Sequence, residues 1–354
     1  MSNVYHAIGI MSGTSLDGID ISLSSYSYDK NSAWSFDIKK TTTISYSEEL
    51  KHQLAGATEL SGLALKLLEN EWSNFAAKQI NQFLKNSVIK PELIGNHGHT
   101  IFHQTDKKLT YQLANNSIIA VETGIPTIGD FRSADVALGG QGAPLVPIGD
   151  AMLFSKYDCC INLGGIANLS FTKNNETIAY DCCPFNIPLN ILANSLGHDF
   201  DDGGKIAAMG MVNESLLKEL MEIPFFNESH PKSLGIEWIK EHFLPIIEKH
   251  TIKTADTLST LIELYTKLIG SVILDNNLHR VLITGGGTHN TYFIEELKKK
   301  TKIEIETMKE ETIDFKEAII FGFLGVLRWR KEVNTVPSVT GASKAHSSGG
   351  LYLP

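Results

Sequence analysis

The chain opens with apolar residues spaced as in strands. Tyr5-His6-Ala7-Ile8-Gly9-Ile10 is a short apolar run. The polar segment Met11 to Gly18 breaks it, and Ile19-Asp20-Ile21-Ser22-Leu23-Ser24 then alternates apolar and polar. A third, less regular alternation runs from Ser35 to Ile44. Strand, glycine-containing turn, strand predicts a β-hairpin. From about Leu60 to Leu84 the period changes: Leu63, Leu67, Trp72, Phe75, Ile80 and Phe83 recur at helical spacing.

Further on, Leu93 to His97 and Ile125 to Gly129 read as strands flanking a helix over 116–123. Residues 131–147 are glycine-rich and hold few helix formers. Cys159 to Leu163 and Ala167 to Phe171 read as paired strands around Gly164-Gly165, and Ile178-Ala179-Tyr180 as a strand ending at Asp181. Helical patterns fill much of 186–196, 213–222, 258–274, 290–299 and 315–331, and Val281 to Thr284 is a buried strand before Gly285-Gly286-Gly287. The strand–hairpin–helix mixture thus occurs twice, which predicts two α/β domains of related build. No Pro/Ser-rich linker separates them. The boundary is expected near residue 128, giving 1–128 with a returning segment from about 335–354, and 129–334.

A length of 354 residues fits two domains. Net charge is −9, so the surface offers little to nucleic acid or anionic membrane, and neither is expected as a partner. Met1 to His6 lack the basic and apolar regions of a secretory signal, and no uninterrupted apolar run nears the ~18 residues of a bilayer span. A cytoplasmic chain is therefore expected. The four cysteines form two adjacent pairs, Cys159-Cys160 and Cys182-Cys183, with no C-x-x-C spacing, and read as reduced, buried small hydrophobes.

Five places carry candidate chemistry. In Ser12-Gly13-Thr14-Ser15-Leu16-Asp17-Gly18-Ile19-Asp20 a turn between strands can present N–H groups and hydroxyls to phosphate, while Asp17 or Asp20 can hold Mg²⁺ through water. The same residues also suit an ordinary hairpin loop. Gly285 to Gly287, after a buried strand, can let a nucleotide lie on the backbone or can simply make a strand-to-helix turn. Asp181 is either a base in a cleft or the N-cap of a helix starting near Pro184. His97-Gly98-His99 would share one strand face, but lacks an acidic partner at metal-ligand spacing, so no metal-ligand set is expected. Arg132 can clamp a carboxylate or pair with Asp130 or Asp135.

Taken in order, Met11 to Asp20, His97-Gly98, Asp130-Phe131-Arg132, Gly139 to Pro147, Asn162 to Asn168, Pro231-Lys232-Ser233, Thr284 to Asn290, Lys316-Glu317-Ala318 and Pro337 to Ala342 resemble the anhydro-N-acetylmuramic acid kinase family over essentially the whole chain. The resemblance implies two ribonuclease-H-like domains of the actin/hexokinase type flanking an ATP cleft. It implies hydrolytic opening of a 1,6-anhydro amino sugar with phosphorylation of O6 by Mg-ATP, in peptidoglycan recycling, by a homodimer. By the same resemblance Asp181 is catalytic. Gly13, Thr14, Ser15, Leu16, Asp17, Gly18, Ile19, Asp20, Gly164, Gly165, Gly285, Gly286, Gly287 and Asn290 contact the nucleotide. His97, Arg132 and Glu317 contact the sugar.

This sequence departs from the family pattern near the catalytic aspartate. Cys182-Cys183-Pro184-Phe185-Asn186 stands for Thr-Gly-Pro-Gly-Asn, Asn190 for Asp, His99 for Gln, and Gly203 for an acidic residue. The replaced glycines would restrict positive φ and close backbone approach. A silent sugar- or nucleotide-binding relative is the alternative these changes leave.

Overall fold

The computed structural model describes residues 3–13, 15–29, 34–174 and 176–354. Two compact units emerge, Met1–Phe154 with Glu310–Pro354, and Ser155–Lys309.

In the first unit β1 (Asn3–Ser12), β2 (Gly18–Tyr28) and β3 (Trp34–Ser45) form an antiparallel meander. Strand β4 (Leu93–Gln104) lies parallel to β1, and β6 (Thr127–Gly129) parallel to β4. Strand β5 (Leu109–Leu113) folds back on β4, and the C-terminal strand Gly350–Tyr352 closes the far edge. Ile8, Ile10, Ile19, Ile21 and Ile94 pack against Trp72, Ala76 and Ile80 of the helix Gly62–Leu84. Ser61 caps that helix by accepting the N–H of Ala64, which fixes its start.

In the second unit β7 (Cys159–Leu163), β8 (Ile166–Lys173) and β9 (Glu176–Pro184) repeat the meander. Strands β10 (Arg280–Thr284) and β11 (Glu304–Thr307) add in parallel. The strand order β11-β10-β7-β8-β9 matches β6-β4-β1-β2-β3 of the first sheet, sense for sense. Three antiparallel strands followed by two parallel ones is the ribonuclease-H-like arrangement, and it occurs here twice. The buried helix Thr254–Asp275 is the centre of the second core, with Leu258, Leu261, Ile262, Tyr265 and Ile269 inward. By length and composition it could cross a bilayer, but 67% of its most apolar window is buried inside the unit.

The domain boundaries differ from those expected at 128 and about 335. Residues up to Phe154 and from Glu310 onward belong to the first unit. The cause is the helix Lys316–Trp329, which lies directly on β1 and β4. A Cβ at Gly9 would sit 1.7 Å from the carbonyl oxygen of Ala318, and one at Gly95 would sit 2.1 Å from that of Phe321. Only glycine permits this backbone-on-backbone approach, which the apolar pattern alone does not reveal. The glycine-rich stretch 131–147 also holds the short helix Ser133–Ala137 and the start of Val146–Leu153.

Candidate active site

The end of β1, the bend of β4 and the start of the helix Lys316–Trp329 converge in the first unit on a cavity of about 490 Å³. Gly13, Ser15, His97, Thr100, Arg132 and Glu317 are among its lining residues. Its size suits a small polar metabolite.

His97 is buried, with Nε2 2.9 Å from Nη2 and 3.2 Å from Nε of Arg132, and Nδ1 2.9 Å from the carbonyl oxygen of Gly98. Guanidinium groups only donate, so Nε2 is the acceptor and Nδ1–H donates to Gly98. Burial, reinforced by the Arg132 charge, holds the imidazole well below its ordinary pKa and keeps it neutral. Arg132 also donates through Nη1 to the carbonyl oxygen of Gly142 at 2.7 Å. Burial lowers its pKa to about 10, opposed by the carboxylates of Glu317 and Asp135. Nε, Nη1 and Nη2 thus each donate within the protein, and much of the fork is engaged there. Asp135 does not pair with Arg132 as a local ion pair. It accepts the N–H of Gly142 at 2.7 Å and the hydroxyl of Thr340 at 2.8 Å, fixing the carbonyl that Arg132 binds.

Glu317 is an exposed residue at the start of the helix Lys316–Trp329, and it lines the cavity. Desolvation raises its pKa, while Arg132 and Lys316 pull it down. Next to it, Lys316 forms a buried ion pair with Asp150 at 2.7 Å, which holds the helix N-terminus to the helix Val146–Leu153.

His99 turns elsewhere. Gly98 has φ 78° and the β1–β4 register shifts here, so alternation breaks and the two histidines do not share a face. His99 Nδ1 lies 2.8 Å from Ser12 Oγ, which is 2.6 Å from Tyr46 Oη, itself accepting the Trp72 indole N–H at 2.9 Å. This buried chain anchors the residue preceding Gly13. Burial takes His99 down to about 4.

Between β1 and β2 the Leu16 N–H donates to the carbonyl oxygen of Gly13 at 3.3 Å. Thr14 lies outside the described residues. Gly13 and Ser15 line the cavity, and Asp17 is exposed. Two expected nucleotide contacts have other uses. The Ile19 side chain is fully buried in the core, and a Cβ at Gly18 would meet the Ile44 carbonyl oxygen at 2.1 Å, so strand pairing demands that glycine. Asp20 accepts from the Thr43 hydroxyl at 2.6 Å. Burial raises its pKa against that bond, and the charges of Asp314 and Asp17 raise it further.

In the second unit Asp181 does not cap a helix. Strand β9 continues to Pro184, and the helix Asn186–Asn194 starts after Phe185 without a side-chain cap. Asn168 faces Asp181 and Ala167 faces Cys183, so Cys182 is the extra residue of a β-bulge beside the aspartate. The carboxylate Oδ2 accepts the N–H of Leu234 at 2.8 Å, and the Asp181 N–H donates to the carbonyl oxygen of Lys232 at 3.1 Å. Burial raises the Asp181 pKa, and the Leu234 hydrogen bond opposes that rise. A half-buried carboxylate with a raised pKa is equipped to accept a proton.

The family departures find a physical explanation here. Phe185 has φ −136° and is fully buried against Tyr265 and Phe293, with ring centroids at 5.1 and 4.9 Å. Neither Phe185 nor Cys183 needs a positive φ. A Cβ at Gly287 would meet that phenyl ring and the Leu163 Cβ, each at 2.5 Å, so the packing there demands glycine. Gly285 has φ 85°, whereas Gly286 is exposed with open space around it. Asn290, expected at the nucleotide, uses its carboxamide oxygen to cap the helix Thr291–Thr301 through the Phe293 N–H at 3.0 Å. The carbonyl oxygens of Gly164 and Gly165 accept the N–H groups of Asn186, Phe185 and Ile187. Sequence reasoning missed Thr100 in the cavity and Leu234 and Lys232 at Asp181. The one available signal was Pro231-Lys232-Ser233, noted without a role.

Comparison with known proteins agrees with this picture. The family model for anhydro-N-acetylmuramic acid kinase matches residues 5–354. An anhydro-N-acetylmuramic acid kinase of Haemophilus influenzae is 35% identical, covering 98% of this chain and 97% of its own. That of Crocosphaera subtropica is 34% identical over 99% of each chain, and that of Pseudomonas fluorescens 33% over 98% of each. A solved dehydratase activator from Clostridium difficile with bound ADPNP aligns over 94% of this chain and 99% of its own, with TM-score 0.43 and 13% identity, too remote to argue from. A match from residue 5 to the C-terminal Pro354, with relatives aligned end to end, shows that the chain belongs to the anhydro-N-acetylmuramic acid kinase family.

Proposed function

We propose that the chain opens the 1,6-anhydro bridge of anhydro-N-acetylmuramic acid with water and transfers the γ-phosphoryl group of ATP to the freed O6, with Asp181 as the base. Water oxygen bonds to C1 as the C1–O6 bond breaks. O6 bonds to the γ-phosphorus as the bond to the leaving ADP oxygen breaks, and the water proton goes to Asp181. O6 is captured by phosphorus, so no separate acid is needed for it, and one carboxylate suffices. The observation that carries this reading is Asp181: a half-buried carboxylate on a bulged strand, oriented by the Leu234 N–H and raised in pKa by burial.

On the sugar side, Glu317 and the outer face of the Arg132–His97 pair supply polar groups to the 490 Å³ cavity. The turn at Gly13 and Ser15, the Gly164–Gly165 turn and Gly286 are the nucleotide candidates whose positions remain open to a ligand. Asp20 suits a divalent cation, because burial and the neighbouring Asp17 and Asp314 charges leave it short of positive charge. Mg²⁺ held there through water, when bound, neutralises charge on the transferring phosphates. A homodimer belongs to the same reading, and light scattering at twice the chain mass tests it.

The deciding experiment measures ADP release with Mg-ATP and 1,6-anhydro-N-acetylmuramic acid, beside Asp181→Asn. Sugar-dependent release that the variant loses by at least ~10²-fold supports the assignment. Equal rates for both proteins remove Asp181 as the base, and release without sugar removes the sugar-kinase reading.

A further inference from the structure

Among the described residues, main chain holds Asp181 from one place outside its sheet, the segment 232–234. Its N–H donates to the Lys232 carbonyl oxygen at 3.1 Å, and its carboxylate accepts the Leu234 N–H at 2.8 Å. This strap has no strand partner and no place in a helix, so something else must fix it. The Lys232 side chain does so. Its Nζ donates to the carbonyl oxygens of Phe225 at 2.8 Å and Phe226 at 3.3 Å, at the short helix Pro224–Asn227. The same ammonium lies 4.7 Å from the Phe225 ring centroid and 5.6 Å from that of Tyr180, the residue preceding Asp181. A cation over two aromatic faces and two carbonyl oxygens stays charged even though burial lowers its pKa.

We propose that Lys232 is a positioning residue for Asp181: its ammonium pins the strap whose backbone aims the carboxylate. The proposal rests on the reading of Asp181 as the base. Lys232 acts through the main chain and does not touch the reacting atoms. Losing it lets the strap drift and takes away the hydrogen bond that orients Oδ2. A misplacement on the order of 1 Å at a reacting group costs on the order of 10²-fold in rate. None of the residues assigned above to sugar or nucleotide lies in this strap, so the loss is expected on kcat.

The test measures kcat and both KM values for Lys232→Met, Lys232→Arg and Leu234→Pro in the full chain, and combines Lys232→Met with Asp181→Asn. Leu234→Pro deletes the donor to the carboxylate while keeping the lysine, and serves if Lys232→Met fails to fold. The expected result is a kcat loss on the order of 10²-fold with KM within about twofold, partial recovery in Lys232→Arg, and no additional loss when Asp181 is already Asn. Losses that multiply in the double variant, or a raised KM at unchanged kcat, overturn the proposal. Should Asp181→Asn alone keep the wild-type kcat, the base assignment fails and the inference with it. Should Asp181→Asn be inactive while Lys232→Met and Leu234→Pro are normal, only the inference fails.

Discussion

Restoring the family glycine at position 185 should damage this protein. The Phe185 side chain has no exposed surface and fills the space between Tyr265, Phe293 and Gly287. Removing a buried phenyl ring from a core costs about 3–5 kcal/mol, including the cavity left behind. The two aromatic contacts are part of that figure, and a glycine in place of a side chain adds roughly 0.5–1 kcal/mol of backbone entropy. The sum, about 4–6 kcal/mol, is a large share of the ~5–15 kcal/mol that holds a typical domain together. At roughly 2–4 °C per kcal/mol for a unit of this size, Phe185→Gly should lower the melting temperature by at least about 8 °C. Circular dichroism melts of the two proteins, read beside sugar-dependent ADP release, measure it. A melting point within about 2 °C of the parent, or faster turnover in the variant, would refute the view that Phe185 is a core residue packed against Tyr265, Phe293 and Gly287. It would revive the alternative that the side chain obstructs a ligand.

Two further outcomes follow from buried charge. Asp150→Ala should cost about 3–5 kcal/mol in urea unfolding, because the buried Lys316 ammonium at 2.7 Å loses its carboxylate, whereas the paired change Asp150→Leu with Lys316→Met should cost much less. His99 titrates at about 4 in the fold against an ordinary 6.5. A depressed folded pKa stabilises the protein above 6.5, and that contribution is lost as pH falls toward about 4. The stability gap between wild type and His99→Gln should therefore shift against the wild type by up to about 3 kcal/mol between pH 7 and pH 4, and a pH-independent gap contradicts the burial argument.

The sequence made much of the fold legible because its periods are clean. Ile19 to Leu23 alternate and are indeed a two-sided strand, and the helical spacing from Leu63 to Phe83 is the helix Gly62–Leu84. What it could not show was long-range pairing. Nothing local marks Gly9 and Gly95 as the bed of the helix Lys316–Trp329, so the returning segment was placed about 25 residues too late. The site divides in the same way. Asp181, His97 and Glu317 could be named as candidates because the family resemblance points to those positions. Their partners could not, because they act through main chain: the Leu234 N–H, the Gly142 carbonyl oxygen and the Lys232 carbonyl oxygen have no side-chain signature. Asn290 carries two readings in the sequence, a ligand contact after glycines and a helix cap, and the structure shows its oxygen capping the helix Thr291–Thr301.

The three glycines 285–287 can be separated by what each is for. The N-terminal turn of the helix Asn186–Asn194 would ordinarily be an anion site, but its N–H groups at Phe185, Asn186 and Ile187 already donate to the carbonyl oxygens of Gly164 and Gly165. In a planar trans peptide the N–H opposes the carbonyl, so the N–H of Gly165 points away from that helix. On the proposed reading, phosphate in this unit is met by such turn N–H groups and by backbone near Gly286. A Cβ on Gly286 finds its nearest neighbour at 3.9 Å, whereas one on Gly287 would meet Leu163 Cβ and the Phe185 ring at 2.5 Å. Gly286→Ala should fold with an unchanged melting point and, if nucleotide lies there, raise KM for ATP. Gly287→Ala should lower the melting point by several degrees, because overpacking a full core costs about 1–3 kcal/mol. Equal melting losses in both variants would mean that the glycine run serves packing alone, and an unchanged KM with Gly286→Ala would remove Gly286 from the nucleotide site.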